Sequence, residues 1–394
     1  MAKFYYEFFN PVKILSGHKA LDNLPSELEI YNARRPMILT DTGVSRAGLV
    51  DLVLNAFAES GITVGVLYDQ IPPDSDVVLV NQLATLFKQH ECDSIVAVGG
   101  GSVIDTAKGI NIVVTEESDD LLKFMGAEVL RKTMKPLIVV PTTSGTGSEV
   151  TCIAVISDHT RNIKLVFSSQ YLLPRAAVLD ARMTMTLPPK MTAATGMDAL
   201  THAIEAYICI QKNPMSDAYA WQAVRLISQN LLRVVTDGKD AEARLAMANG
   251  STMAGIAFSN SMVGMAHSFG HACGSVCQLP HGVAVNIFLP HALEYNLGAA
   301  GEAIGELLLP LAGDEAYART PKAQRPDCAI AEVRRLQAAM LSMTGLPVTL
   351  EAAGVAYDAL PAIAAAALDD GSAIMNPVDF SLEEAVQFLE RAYR

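Results

Sequence analysis

Asp198 and His202 lie four positions apart in Gly196-Met197-Asp198-Ala199-Leu200-Thr201-His202-Ala203, a spacing that puts a carboxylate and an imidazole on one face of a helix. His267 and His271 repeat the spacing, and Pro280-His281-Gly282 follows. Four of the eight histidines fall in this set. Three of them sit in the stretch from Leu245 to Leu293, which contains no Asp, Glu, Lys or Arg. One histidine on an apolar face is usually a satisfied core residue. Three in a segment without counter-charges need a partner, and a divalent metal shared with a carboxylate is the economical one. Mixed nitrogen and oxygen ligands suit Fe2+ or Zn2+, and residue type does not choose between them. There is no HExxH, which disfavours a zincin protease. His18, His90, His159 and His291 lack such company and read as structural.

A second chemistry is written in Val98-Gly99-Gly100-Gly101-Ser102, which follows an apolar run and opens a helical one. Without Cβ atoms, backbone N–H groups can approach a phosphate at a helix N-terminus. The alternative is a tight turn before a capped helix, and Ser102-Val103-Ile104-Asp105 has the capping-box form that would set the helix start. The motif is not G-x-G-x-x-G, and it follows the third strand of the series rather than the first. Asp41 ends the first strand, where a carboxylate would accept hydrogen bonds from ribose hydroxyls and repel a 2′-phosphate, favouring NAD over NADP; an ordinary strand-end turn is the competing reading. The loop Pro141-Thr142-Thr143-Ser144-Gly145-Thr146-Gly147-Ser148-Glu149 offers further backbone and hydroxyl donors. The expected cofactor-binding set is Asp41, Gly99, Gly100, Gly101, Ser102, Asp105, Thr142, Thr143, Thr146 and Lys164.

These residues need elements to hold them. From about 35 to 116 the chain alternates apolar runs at 36–41, 63–69 and 94–100 with helical segments at 45–60, 77–90 and 102–114, a series that implies a parallel sheet. Further strands are expected at 136–141, 152–157, 164–167 and 176–179, and 4–9 with 12–15 could add an edge hairpin. After Leu187-Pro188-Pro189 alanine, leucine and methionine recur at helical spacing. Two domains are expected, an α/β one over 1–187 and a helical one over 188–394.

Composition narrows the partners. With 29 Lys+Arg against 42 Asp+Glu the net charge is −13, which disfavours nucleic acid and anionic membrane. Mean hydropathy is +0.27, and the uncharged stretch raises the question of a membrane span. Ser251, Asn260, His267, Gln278 and others interrupt it, so it reads as interior instead. No secretory h-region follows Met1, and the expected location is cytoplasmic. Six scattered cysteines read as free thiols, Cys273 and Cys277 included.

With these residues together, the chain resembles the iron-containing (group III) alcohol dehydrogenase family over nearly its whole length. The resemblance rests on Gly99-Gly100-Gly101-Ser102 with Asp105 and Lys108, the 141–149 loop, the Asp198/His202 pair, His267-x3-His271-x9-His281-Gly282 with Leu289-Pro290-His291, and Asn376-Pro377. It implies a Rossmann-like α/β dinucleotide-binding lobe of parallel sheet followed by an all-α metal-binding lobe, the dehydroquinate synthase-like fold. It also implies catalytic Fe2+, with Zn2+ as the alternative, and NAD rather than NADP. By position Asp198, His202, His267 and His281 would ligate the metal, while His271 would stand beside it as the catalytic contact to substrate or proton relay. The implied reaction interconverts a small primary alcohol or diol and its aldehyde by hydride transfer, and self-association to a dimer or larger is expected. One departure is visible. In Ile71-Pro72-Pro73-Asp74-Ser75, Pro73 stands where the family commonly has Asn, so any contact made by that amide is lost. Phe258 matches a bulky residue of the substrate channel, and a core aromatic explains it about as well. The alternatives are a hydroxyacid-oxoacid transhydrogenase that keeps its nicotinamide bound, and a nucleotide-binding assembly protein without catalysis; the complete ligand set disfavours the latter and the family's metal-independent branch.

Overall fold

The structure is a computed structural model that describes residues 5–161 and 163–394. The chain divides into two compact units, residues 10–186 and residues 187–394 together with the N-terminal segment up to Phe9.

The first unit is α/β. Its strands are β1 (Lys13–Ser16), β2 (Pro36–Leu39), β3 (Val66–Tyr68), β4 (Ser94–Gly99), β5 (Gly126–Ala127), β6 (Leu137–Pro141), β7 (Ile153–Asp158), β8 (Ile163–Ser168) and β9 (Ala176–Leu179). Its helices are α1 (Leu24–Ile30), α2 (Thr42–Arg46), α3 (Leu49–Phe57), α4 (Val77–Gln89) and α5 (Gly101–Thr115). Six strands form one parallel sheet in the order β1-β9-β6-β4-β2-β3. Strand side chains alternate between faces, and here both faces are covered. Ile95, Ala97 and Val139 join the core under α4 and α5, while Val96, Val98 and Val140 join the core under α1 and α3. That double burial is why these strands read as unbroken apolar runs. From β2 the chain moves outward to β3, then returns to β4 on the other side of β2. The reversal between β2 and β4 leaves a crevice at their carboxyl ends, the usual ligand position in such sheets. Asp41 and Gly99–Ser102 stand at those ends. The remaining strands form a separate sheet ordered β5-β8-β7, with β7 and β8 antiparallel.

Three local expectations fail. No hairpin forms at the start: β1 is a parallel edge strand on β9, and Tyr5–Phe9 is no strand. That segment joins the helical unit, where Phe8 stacks on Tyr219 with centroids 5.7 Å apart and the Phe9 N–H donates to Asn260 Oδ1; Phe4 lies outside the described residues. The helix expected at 45–60 is two helices, because Gly48 has φ +74 and ends the first. Nor does Ser102 cap α5. The N-cap is Gly100 with no side-chain cap, and the Ser102 hydroxyl instead donates to the Pro73 carbonyl.

The second unit is helical: α6 (Pro189–Ile208), α7 (Pro214–Thr236), α8 (Ala241–Ser259), α9 (Met265–Cys277), α10 (His281–Glu306), α11 (Leu308–Ala312), α12 (Asp314–Arg319), α13 (Arg325–Thr344), α14 (Leu360–Leu368) and α15 (Leu382–Tyr393). Proline opens α6 at its first helical position, where the missing N–H costs nothing, and an Asn213/Ser216 capping box opens α7. Gln278 in the left-handed region ends α9, and α10 starts three residues later. Helix α10 joins the unit's two cores, placing Leu289, Leu293 and Ile304 in one and Ala284, Ile287 and Phe288 in the other. Its first turn lies against α6 so closely that a Cβ on Gly282 would fall 2.7 Å from the Ala194 carbonyl oxygen. Among the described residues no helix is long and apolar enough to cross a membrane; the uncharged 245–293 stretch is most of α8, all of α9 and the first half of α10.

Candidate metal centre and cofactor edge

Helix α6 carries Asp198 and His202 on one face, α9 carries His267, and His281 is the first residue of α10. One donor atom from each lies within 4.8 Å of all the others. Asp198 Oδ1 is 3.3 Å from His281 Nε2 and 3.7 Å from both His267 Nε2 and His202 Nδ1. The rings of His202 and His267 are 4.3 Å apart at their centroids, and Phe258 covers the other side of His202 at 4.4 Å. Asp198 Oδ1, His202 Nδ1 and His267 Nε2 are buried and make no hydrogen bond. Buried polar atoms rarely stay unsatisfied, and three of them converging on one point fit a metal ion. Three imidazole nitrogens with one carboxylate oxygen suit Fe2+ or Zn2+.

Without a metal the site is electrostatically frustrated. Burial pushes the Asp198 carboxyl up, but His202, His281 and His267 outweigh it and hold it well below the usual carboxylate range. Burial dominates at His202, whose pKa falls to about 3, and it lowers His281 as well. At His267 burial is outweighed by the neighbouring carboxylates of Asp198 and Glu205, which push it up to about 9.

His271 stands beside these four and is not one of them. Its ring centroid is 5.3 Å from that of His281 and 6.0 Å from that of His267. Its Nδ1 is 2.9 Å from Asp370 Oδ2, and its side chain is 45% exposed. Two residues absent from the sequence reading therefore take part. Asp370 comes from the loop after α14 and no local pattern announces it. Glu205 is three residues beyond His202 on the same face of α6, so extending the helical spacing would have found it. Cys273 is buried in the core behind α9, its thiol pushed up to about 12 by that burial, and all six cysteines are free.

On the α/β unit, the turn after β4 and the loop after β6 are packed together. Thr142 N–H donates to Gly99 O at 3.2 Å. A Cβ on Gly101 would meet Thr146 Cγ2 at 3.0 Å, and one on Gly100 would meet Thr143 Oγ1 at 3.3 Å. A side chain at either position would crowd this loop contact. Helix α5 begins at this edge without a side-chain cap, and the first N–H groups of a helix have no partner inside it, which suits a pyrophosphate. Asp41 caps α2, Oδ1 accepting from Gly43 and Val44 N–H at 2.8 and 2.9 Å; among the described residues no protein group bonds Oδ2. Both oxygens of Asp105 are taken, one by Ser148 Oγ at 2.7 Å and one by Val155 N–H at 3.1 Å. Its carboxyl is raised by burial against the pull of Lys108. Lys108 is wholly buried, its pKa lowered by that burial, and its Nζ donates to oxygens of Ser148, Thr151 and Ile153. These two residues hold the 141–153 segment onto α5. Lys164, half-exposed on β8, pairs with Asp74 at 3.3 Å, beside the Pro73 whose carbonyl Ser102 engages.

Two family descriptions match the chain, iron-containing alcohol dehydrogenase over residues 11–181 and the C-terminal part of the same family over 192–393. The 1,3-propanediol dehydrogenase of Klebsiella pneumoniae is 35% identical over 390 residues, covering 98% of this chain and 99% of that protein. The NAD-dependent methanol dehydrogenase of Bacillus methanolicus is 33% identical over 388 residues, covering 98% and 99%. A solved 1,3-propanediol oxidoreductase superposes with a TM-score of 0.94 at 35% identity, covering 99% of this chain and all of that one. The chain is an oxidoreductase that belongs to the iron-containing alcohol dehydrogenase family.

Proposed function

We propose that the protein interconverts a small primary alcohol or diol with its aldehyde, using NAD and a divalent metal, Fe2+ first and Zn2+ second, held by Asp198, His202, His267 and His281. The observation that carries the reading is the convergence of three buried, unbonded donor atoms with a fourth ligand at the start of α10. The relatives' names, a propanediol and a methanol dehydrogenase, support the substrate class, and the second of these supports NAD. When bound, the metal supplies Lewis acidity at the substrate oxygen and the nicotinamide accepts hydride.

The chain's own residues do the rest. Asp198 would bring the one negative charge to the metal, and His202, His267 and His281 would bring neutral nitrogen donors once it binds. The 245–293 stretch brings no competing charge, and the burial of Asp198, His202 and His267 strengthens the electrostatic effects among them. His271 can take the proton the alcohol loses: with Nδ1 bonded to Asp370, Nε2 remains to accept it, and the exposed ring passes it to solvent. On the cofactor edge the first turn of α5 and Thr142, Thr143 and Thr146 would seat the pyrophosphate. The free oxygen of Asp41 would take ribose hydroxyls and repel a 2′-phosphate.

We also propose that the protein is cytoplasmic, in keeping with its free thiols, and that it self-associates. The test is an alcohol and aldehyde panel with NAD(H) and NADP(H) on protein reconstituted with Fe2+ or Zn2+ under anaerobic conditions. Metal-dependent release of free NADH from a primary alcohol is expected. Turnover only when an oxoacid is supplied would instead favour the transhydrogenase, a reading that the dehydrogenase names of the relatives do not favour.

A further inference from the structure

We propose that Glu205 is the positioning residue that makes His267 a metal ligand, by holding the first turn of α9 and fixing the His267 tautomer. The inference rests on the metal reading above. Glu205 is buried on α6, and among the described residues every hydrogen bond of its carboxylate is to an N–H of one short segment. Oε2 accepts from Gly264 N at 3.0 Å and His267 N at 3.3 Å, and Oε1 from Ala266 N at 2.6 Å. His267 Nδ1 lies 2.6 Å from Oε2.

A helix begins with N–H groups that have no partner inside it, and the N-cap of α9 is Gly264, which has no side chain to supply one. Glu205 replaces that cap from a neighbouring helix, and Asn376 Oδ1 takes the remaining Met265 N–H at 3.1 Å. A carboxylate only accepts, so the proton between Glu205 and His267 sits on Nδ1. In the neutral imidazole that binds a metal, Nε2 then carries the lone pair, and it faces Asp198 Oδ1. Outer partners of this kind orient a ligand and raise its basicity, and their loss typically costs about 10 to 100-fold in metal affinity.

Glu205→Gln keeps the volume but turns an NH2 group against N–H donors, so one donor loses its acceptor. Zn2+ affinity of the full-length chain, measured by chelator competition, is expected to fall about 10 to 100-fold, with helical content retained by circular dichroism. His267→Ala is run beside it. If His267→Ala loses the metal while Glu205→Gln binds as the parent does, the Glu205 role is overturned and the metal site stands. If His267→Ala also binds as the parent does, the ligand assignment falls and this inference with it. A readout that needs no variant is the imidazole 15N spectrum of the zinc-loaded parent: protonation of His267 on Nδ1 is expected, and protonation on Nε2 overturns the proposal.

Discussion

Replacing Lys108 by Met tests whether the cofactor edge is held together from inside the α/β unit. Nζ donates to the carbonyls of Ser148, Thr151 and Ile153 at 2.8, 2.9 and 2.7 Å, with the hydroxyls of Ser148 and Thr151 at 3.2 and 3.0 Å. Methionine is similar in volume but takes the ammonium away from three carbonyl oxygens, leaving Thr151 O without this donor and Ser148 O and Ile153 O with only 3.4 Å bonds from Thr151. Each orphaned buried polar group costs about 1 to 3 kcal/mol. Part of that sum is returned because the ammonium no longer has to be desolvated, an expense of several kcal/mol by itself. The expected net loss is about 3 to 5 kcal/mol, comparable to removing one partner of a buried ion pair. In urea, at a slope of about 2.5 kcal/mol/M, the transition of the α/β unit should fall by about 1 to 2 M. Because the same bonds hold Ser148 next to Thr146 and Asp105, KM for NAD should rise, while metal content stays unchanged with its ligands on the other unit. An unmoved transition together with a parental KM for NAD would refute the reasoning.

The other predictions concern single contacts. Gly282→Ala places a Cβ 2.7 Å from the Ala194 oxygen and should cost about 1 to 3 kcal/mol. Displacing His281 should also weaken the metal by about tenfold or more in chelator competition; parental stability and affinity would contradict the close-approach argument. Asp41→Ala should lose about 1 kcal/mol from the α2 cap and raise turnover with NADP relative to NAD, whereas a lost cap with unchanged preference would reduce Asp41 to a turn residue. His271→Ala should keep its metal and lower kcat/KM by about 10² to 10⁴-fold, and loss of the metal would make His271 a ligand.

Much of the site is legible because it is local. Asp198 and His202 are one helical turn apart, so composition and spacing alone put them on one face. The glycine turn at Gly99–Gly101 joins a strand to a helix within a few residues, and the uncharged 245–293 stretch shows as a plain absence along the chain. The two-sided burial of β2, β4 and β6 likewise leaves unbroken apolar runs. Local pattern also misled: Ser102-x-x-Asp105 has the form of a capping box, yet both side chains are drawn to groups far along the chain, Ser102 to Pro73 and Asp105 to Ser148 and Val155.

What the amino-acid order determined by itself is therefore the inventory: the metal-binding residue types, the elements that carry them and the parallel-sheet class. Tertiary packing alone decided the partnerships. Glu205 meets a helix end some 60 positions away, Asp370 meets His271 across 99 positions, and the Tyr5–Phe9 segment leaves the unit that follows it. Hydrogen-bond periodicity is encoded within about one turn or one pleat. Which carboxylate reaches which imidazole depends instead on how whole helices close against one another, and the buried, unbonded atoms at Asp198, His202 and His267 become visible as a metal site only after that closure.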